Sequence, residues 1–198
     1  MKRIGSVVMC CLAVGAVGAS VALADNGNST PNPNQLAAQE CTGELHAMGA
    51  KAFKGLYGDP PKGKHAMRNC QRQHGKSAHT TINNAAQECK GEQADPNFAA
   101  NHGGMTFDQF YGTNHNDRNS FGKCVSGKVQ ATQAQEDENT QNAAQQCRTE
   151  RGDPNFAASH DGKSFTDFYG TNRNKRNAFG KCVSGKAKAL NNAPAPTT

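Results

Sequence analysis

Apolar residues recur along this chain at steps of three and four, the spacing of one face of an α-helix. Ile82, Ala85 and Cys89 follow this pattern near the middle of the chain. The later segment 121–147 contains a single clear helix breaker, Gly127, and a glycine costs only about 1 kcal/mol inside a helix. The pattern therefore predicts an all-α fold in which one long helix spans residues 121–147.

Shorter elements are predicted between these helices. Asp95 precedes Pro96, an arrangement in which the carboxylate caps a helix start and the missing proline N–H costs nothing. Thr106 and Gln109 have the spacing of a capping box, which predicts a short aromatic helix. Gly112 follows that helix, and we expect it to end the helix in the left-handed conformation.

The chain repeats itself. Residues 83–128 align without a gap on residues 141–186, and 31 of these 46 positions are identical. A shorter, degenerate copy occupies residues 36–76 and lacks about six residues, including those that match 95–98. Such periodic self-similarity is typical of repeat architectures. We call these segments repeat 1 (36–76), repeat 2 (83–128) and repeat 3 (141–186), and expect short-helix repeats joined by long shared helices.

The remaining segments have no repeat character. A basic start, an apolar run and the Ala22-Leu23-Ala24 sequence are typical of a secretory signal peptide cleaved after residue 24. The alternative is an uncleaved membrane anchor, since the run is about long enough to span a bilayer. The predicted organisation is a signal peptide at 1–24, a disordered linker at 25–35, the three repeats with a helical linker at 129–140, and a disordered tail at 187–198.

Cysteine spacing predicts disulfides. Cleavage would leave six of the eight cysteines, two in each repeat. Six cysteines allow 15 pairings, and the repeats favour the pairs within each copy. Zinc is the competing use, but the mature chain has none of the close Cys-x₂₋₄-Cys pairs typical of zinc sites, so we expect no metal. The predicted bonds are Cys41–Cys70, Cys89–Cys124 and Cys147–Cys182.

Composition narrows the possible partners. Removal of Lys2 and Arg3 with the signal peptide leaves 20 basic and 16 acidic residues, a net charge of +4. The basic residues are interleaved with acids and amides, so we expect no nucleic-acid partner. After cleavage no segment would insert stably into a membrane. Trp is absent and large apolar residues are few, which predicts three small cores, each closed by its own disulfide.

Catalytic motifs are not apparent. There is no G-x-S-x-G, P-loop or G-x-G-x-x-G sequence, and every mature cysteine has a predicted partner. His102 and His160 occupy matched positions, and we interpret them as residues at helix ends or in loops rather than as metal ligands. We therefore expect a non-enzymatic protein that needs no cofactor. An unrecognised secreted hydrolase is a minor alternative.

The richest polar segment is a Thr-Asn-x-Asn-x-Arg-Asn sequence that follows the aromatic helix in repeats 2 and 3. Asn and Thr suit turns and caps because their side chains bond nearby backbone. The alternative is a ligand patch for cell-wall glycan or an anionic envelope polymer, with a tyrosine beside each copy. The candidate patch residues are Tyr111, Asn114, Asn116, Arg118 and Asn119 in repeat 2, and Tyr169, Asn172, Asn174, Arg176 and Asn177 in repeat 3.

The repeated Cys…Phe-Tyr-Gly-Thr-Asn…Phe-Gly-Lys-Cys-Val-Ser sequence resembles repeats in uncharacterised secreted bacterial proteins of actinobacterial type. The resemblance covers residues 83–186 well and 37–76 poorly. That family has no assigned activity, so it implies export and a repeat fold but no functional residues. We therefore expect an extracellular or cell-envelope interaction or structural module. A carbohydrate- or anionic-polymer-binding protein is the alternative.

Overall fold

The computed structural model of the chain describes residues 31–193. Over this range it contains eight α-helices and no named β-strand, which confirms the predicted all-α class. The predicted signal peptide lies outside the described residues. The helices are α1 (Pro33–Met48), α2 (Ala50–Tyr57), α3 (Ala66–Ala94), α4 (Phe98–Asn101), α5 (Phe107–Tyr111), α6 (Ser120–Gly152), α7 (Phe165–Tyr169) and α8 (Ala178–Asn191).

Two long helices are each shared by neighbouring repeats. α3 carries the last cysteine of repeat 1 and the first of repeat 2, and α6 does the same for repeats 2 and 3. The long helix expected over residues 121–147 is therefore confirmed, and the linker 129–140 is helical. α8 runs antiparallel to α6, because Cys147 bonds Cys182 while Asn139 contacts Asn191 at 2.7 Å.

The three disulfides join the pairs that the repeats predict. Their Cα–Cα distances are 5.9, 6.0 and 6.0 Å, and all six bonded cysteines are fully buried. Each bond links the opening helix of a repeat to its closing helix. Closing chain loops of 29 and 35 residues stabilises the fold by roughly 3–4 kcal/mol per bond on the chain-entropy model.

The prediction of three separate cores is wrong. The described residues form two hydrophobic clusters, and one of them combines Phe53 and Tyr57 of repeat 1 with Phe156 and Phe179 of repeat 3. The other cluster is that of repeat 2, to which the start of α1 contributes Leu36. Repeat 1 lacks the segment that provides a buried phenylalanine in the other copies, so it has too little apolar surface to close a core alone.

Close backbone contacts hold repeat 1 against repeat 3. A Cβ atom on Gly55 of α2 would overlap the backbone carbonyl of Arg176, and one on Gly180 of α8 would press into Leu56. The guanidinium of Arg148 also donates to the carbonyl of Ala47 at 2.6 Å, near the end of α1. Helix ends leave carbonyls without intrahelical partners, so this bond satisfies one of them.

Element boundaries differ from the predictions at several points. α1 begins at Pro33, so residues 33–35 are helical rather than disordered, and α8 continues through 187–191 into the predicted tail. Asp95 accepts a hydrogen bond from Asn97 N–H, but the helix that follows has only four residues, and repeat 3 forms turns there. Thr106 forms the predicted capping box.

Gly112 is extended (φ −65°) and not left-handed. A Cβ atom there would overlap the carbonyl of Asp108 and the side chain of Asp117, so a close approach of the chain requires this glycine.

Candidate functional site

The Thr-Asn-x-Asn-x-Arg-Asn segments form two closed loops, 113–119 and 171–177, which we call the arginine loops. In the first, Asn119 is buried; its side chain accepts from Thr113 N–H at 3.1 Å and donates to Thr113 Oγ1 at 2.7 Å. Asn177 makes the same two bonds to Thr171, at 3.1 and 2.7 Å. These asparagines therefore hold the loops in shape and are not available to a ligand.

The second asparagine of each loop also has a structural contact. Asn116 accepts from the backbone N–H of Arg118 at 3.3 Å, and Asn174 accepts from that of Arg176 at 3.2 Å. These bonds turn the backbone just before the helix that follows. The loop geometry thus explains most of the amide residues, as the turn interpretation of the sequence predicts.

The arginine side chains remain available. Arg118 and Arg176 are exposed. Within residues 31–193 neither guanidinium lies within ion-pair distance of a carboxylate. Asn114 is exposed in the first loop, whereas Asn172 is partly buried in the second. The structure therefore presents two internally hydrogen-bonded loops, each carrying an exposed arginine.

The tyrosines do not belong to these loop surfaces. Tyr111 donates to Glu92 at 2.7 Å and Tyr169 donates to Glu150 at 2.8 Å, in both cases on the preceding long helix. Burial and the neighbouring Glu150 carboxylate raise the pKa of Tyr169 to about 12. The candidate patch predicted from the sequence thus divides into exposed arginines, structural asparagines and partly buried tyrosines.

The matched histidines have a structural role, as expected. His102 Nδ1 lies 2.8 Å from the carbonyl of Phe98, and its ring stacks on the Phe98 ring at 3.9 Å. His160 repeats both contacts on Phe156, at 2.8 and 3.8 Å. Each histidine closes the end of a short turn and covers a buried aromatic ring.

A polar constellation that the sequence analysis missed recurs beside each disulfide. It joins a glutamate three residues after the first cysteine, the tyrosine of the short helix and a basic residue four after the second cysteine. The tyrosine hydroxyl donates to the glutamate at 2.6–2.8 Å in every repeat. The sets are Glu44, Tyr57 and His74 in repeat 1, Glu92, Tyr111 and Lys128 in repeat 2, and Glu150, Tyr169 and Lys186 in repeat 3.

Two short patterns could have found this constellation. Cys-x₂-Glu follows each opening cysteine, and Cys-x₃-Lys or Cys-x₃-His follows each closing one. Burial alone would raise the pKa of Glu92, but Lys128 and Tyr111 outweigh it and hold that pKa below its ordinary value. The network ties the opening helix, the aromatic helix and the closing helix of each repeat together around the disulfide.

Repeat 1 differs because a histidine replaces the lysine. His74 Nδ1 lies 2.8 Å from Glu40 and its Nε2 lies 3.2 Å from Glu44. Burial by itself lowers the pKa of His74, but these two carboxylates outweigh burial and raise it to about 10. The His74 ring is therefore an imidazolium in neutral solution. Burial, with Glu44 as the next cause, raises the pKa of Tyr57 well above its usual value.

Glu40 and Glu44 of α1 and His74 of α3 form a polar cluster, which we call the His74 cluster. Along both helices it lies between residues of one hydrophobic cluster and residues of the other. Glu136 and Asp137 of α6 lie near Glu40, and Asp137 lies against Gly43 of α1. Burial, reinforced by Glu40, raises the pKa of Glu136 to about 7 and also raises that of Asp137. Two carboxylates thus contact the histidine directly, and two partly buried carboxylates of α6 lie near Glu40.

Comparisons with known proteins identify no relative. No protein-family model matches the chain, and no curated protein or solved structure shows significant similarity to it. Among the helices of residues 31–193, none has the length and apolar character that a membrane crossing requires. The resemblance to secreted bacterial repeats therefore stays a prediction.

Proposed function

We propose that the protein is an exported, non-enzymatic interaction module of the cell envelope or extracellular space, and that it binds a long anionic polymer. The binding groups are Arg118 and Arg176 in the two arginine loops. The observation that carries the proposal is that each loop uses its amides to fix its own backbone and leaves its guanidinium exposed, with no carboxylate partner in the part of the chain that the structure describes.

Export is supported by the disulfides and by the start of the sequence. Three fully buried disulfides suit an oxidising compartment outside the cytoplasm. The predicted signal peptide at residues 1–24 supports the same location. Guanidinium groups recognise phosphate and carboxylate through paired N–H donors, which suits the charged groups of an envelope polymer.

The spacing of the loops favours a polymer over a small ligand. The first loop immediately precedes α6, and the second precedes α8, whose Phe179 lies 4.7 Å from Arg151 near the far end of α6. α6 has 33 residues, which at about 1.5 Å per residue separates the loops by about 50 Å. Two weak sites on one rigid rod gain affinity only for a ligand long enough to reach both.

Binding to polyphosphate of two lengths tests this proposal. The wild-type protein should bind a polymer longer than about 50 Å much more tightly than a short fragment, and salt should weaken both interactions. Arg118→Ala or Arg176→Ala should lower the affinity for the long polymer at least about tenfold and change binding of the fragment little.

Arg72→Ala is the matched control, because it removes the same charge from an exposed position on α3 outside the loops. Equal retention of the long polymer by the loop variants and this control would exclude the arginine loops as the binding site. A pull-down on purified cell wall with the same variants then shows whether the natural envelope contains such a ligand.

A further inference from the structure

The disulfide of repeat 1 has a neighbour that the other two lack. Cys41 Sγ, Cys70 Sγ and a ring nitrogen of His74 all lie within 4.8 Å of one another. Cys70 and His74 are four residues apart on α3 and so share a helix face. Both cysteines are fully buried, and the histidine side chain is only 25% exposed. Two sulfurs and an imidazole are thus already collected in a site shielded from water.

An ion pair with the glutamate of the repeat does not by itself require a histidine at position 74. Lys128 and Lys186 occupy the equivalent positions, and each pairs with its glutamate at 2.8 Å. A lysine ammonium has no lone pair, whereas a neutral imidazole offers one to a metal ion. Repeat 1 therefore differs from its copies by the exchange of a cation for a metal ligand.

We infer that repeat 1 forms a zinc site when its disulfide is reduced, with Cys41, Cys70, His74 and Glu44 as ligands. Thiolates and imidazole are the ligands that Zn²⁺ prefers, in a tetrahedral set of four. In such a set two sulfurs at about 2.3 Å from the metal lie about 3.8 Å apart. Opening the bonded pair to that distance requires side-chain rotation rather than movement of the helices, whose Cα atoms are already 5.9 Å apart.

Glu44 is placed to be the fourth ligand. Its Oε1 lies 3.2 Å from His74 Nε2. The equivalent glutamate in repeat 2, Glu92, lies 3.8 Å from the sulfur of Cys124, so a carboxylate at this position of the repeat can reach a cysteine sulfur. Glu44 is not among the side chains whose ligand atoms lie within 4.8 Å of one another, so its carboxylate must rotate toward the sulfurs to complete a Cys₂-His-Glu set.

Glu40 serves as a positioning residue. It is 93% buried and lies 2.8 Å from His74 Nδ1, on the opposite ring nitrogen from Glu44. Zinc-bound histidines commonly donate their other N–H to a carboxylate, which fixes the ring orientation and strengthens the ligand. Glu40 thus holds the ring so that its other nitrogen faces the metal.

The site forms in two steps: a two-electron reduction of the Cys41–Cys70 disulfide, and then metal binding. A dithiol reductant supplies two electrons and two protons; its own sulfurs become a disulfide, and the Cys41–Cys70 bond opens to two thiols. Zn²⁺ then displaces both thiol protons and the proton on His74, so three protons are released per metal bound. Affinity should consequently rise with pH.

Cobalt(II) titration of the reduced protein tests the inference. The purified protein is treated with a phosphine reductant without oxygen, and Co²⁺ is added as a spectroscopic substitute for Zn²⁺. We expect one equivalent to bind, with thiolate-to-cobalt charge transfer and the intense visible bands of a tetrahedral ion, and Zn²⁺ should displace it. The oxidised protein should give no such bands, because its sulfurs are bonded to each other.

Variants that give one repeat the residue found at the same position of another provide matched controls. His74→Lys, which copies repeats 2 and 3, should abolish tetrahedral cobalt binding while the oxidised protein keeps its helix content. Lys128→His places the ligand set of repeat 1 in repeat 2, where Glu88 and Glu92 match the two glutamates, and should bind a second equivalent. Glu40→Gln should keep one equivalent but weaken its affinity about 10–100-fold.

Absence of the tetrahedral spectrum in the reduced wild-type protein would overturn the inference. The same holds if His74→Lys binds cobalt as well as the wild type does, since two thiolates alone would then account for the signal. A single equivalent in Lys128→His would also contradict it, because the named residues would be insufficient.

Discussion

Protonation of Glu136 should make the fold more stable in mild acid than in mild base. This carboxyl faces Glu40 of α1 and His74 of α3 and adjoins Asp137 on its own helix. Burial, with Glu40 as the second cause, raises its pKa from 4.5 to about 7. The folded protein thus binds the proton more tightly than the unfolded chain does. The stabilisation is complete below about pH 4.5 and is lost as the pH rises through about 7.

The size of the effect follows from the two pKa values. Each unit of difference between the folded and unfolded pKa of Glu136 corresponds to about 1.4 kcal/mol, so the whole shift corresponds to about 3 kcal/mol of stability. Glu136 is partly exposed, so solvent screening reduces this to about 1–2 kcal/mol. Glu136→Gln removes the charge at every pH. It should therefore raise the free energy of unfolding by that amount near pH 8 and change it little near pH 4.

Urea denaturation followed by circular dichroism at both pH values measures this difference. Glu138→Gln is the matched control, because it removes the same charge from an exposed position two residues further along α6. The control should shift the free energy of unfolding by less than about 0.5 kcal/mol at either pH. If Glu136→Gln had the same effect at the two pH values, ionisation of this carboxyl could not be the cause, and the argument would fail.

Two further stability predictions test the packing. Replacing Cys89 and Cys124 by Ala should lower the free energy of unfolding by roughly 3–4 kcal/mol in chemical denaturation, because the loop-closing bond is lost; an unchanged value would contradict the disulfide's role. Gly55→Ala should destabilise the protein, since its Cβ meets the backbone of Arg176, whereas Gly75→Ala in the open part of α3 should stabilise it by about 0.5–1 kcal/mol. Thermal melts that rank these two glycine variants the other way would show that repeat 1 does not pack closely on repeat 3.

The local features of the fold were predictable because they depend on neighbouring residues. The capping box of Thr106 and Gln109 and the long helix through 121–147 follow from spacing alone. The disulfides follow from the repeat, since two cysteines 23 residues apart on one straight helix cannot meet. The Gly112 prediction failed because the sequence shows that a glycine is present, but not whether conformation or space requires it.

The association of repeats 1 and 3 was not predictable in the same way. Nothing in the sequence of α2 specifies α8 as its partner, because the contact depends on two glycines far apart in the chain, Gly55 and Gly180. The cluster around His74 was missed for a related reason. Its histidine and two of its carboxylates belong to repeat 1, but the sequence does not show that Glu136, from the predicted linker 129–140, packs beside them.

The choice of repeat 3 over repeat 2 as the partner of repeat 1 has an identifiable physical basis. Both copies offer a glycine at the contact position of the closing helix, so close approach alone does not discriminate between them. The opening helices differ, because Arg148 stands where repeat 2 has Lys90.

The guanidinium of Arg148 reaches the carbonyl of Ala47 at 2.6 Å while lying 5.9 Å from the Phe179 ring, and both contacts suit a planar cation. A lysine ammonium has no planar face with which to stack on the ring while it bonds the carbonyl. One substitution between otherwise similar copies thus helps the degenerate repeat pack against repeat 3, where it completes the core that its own sequence is too short to close.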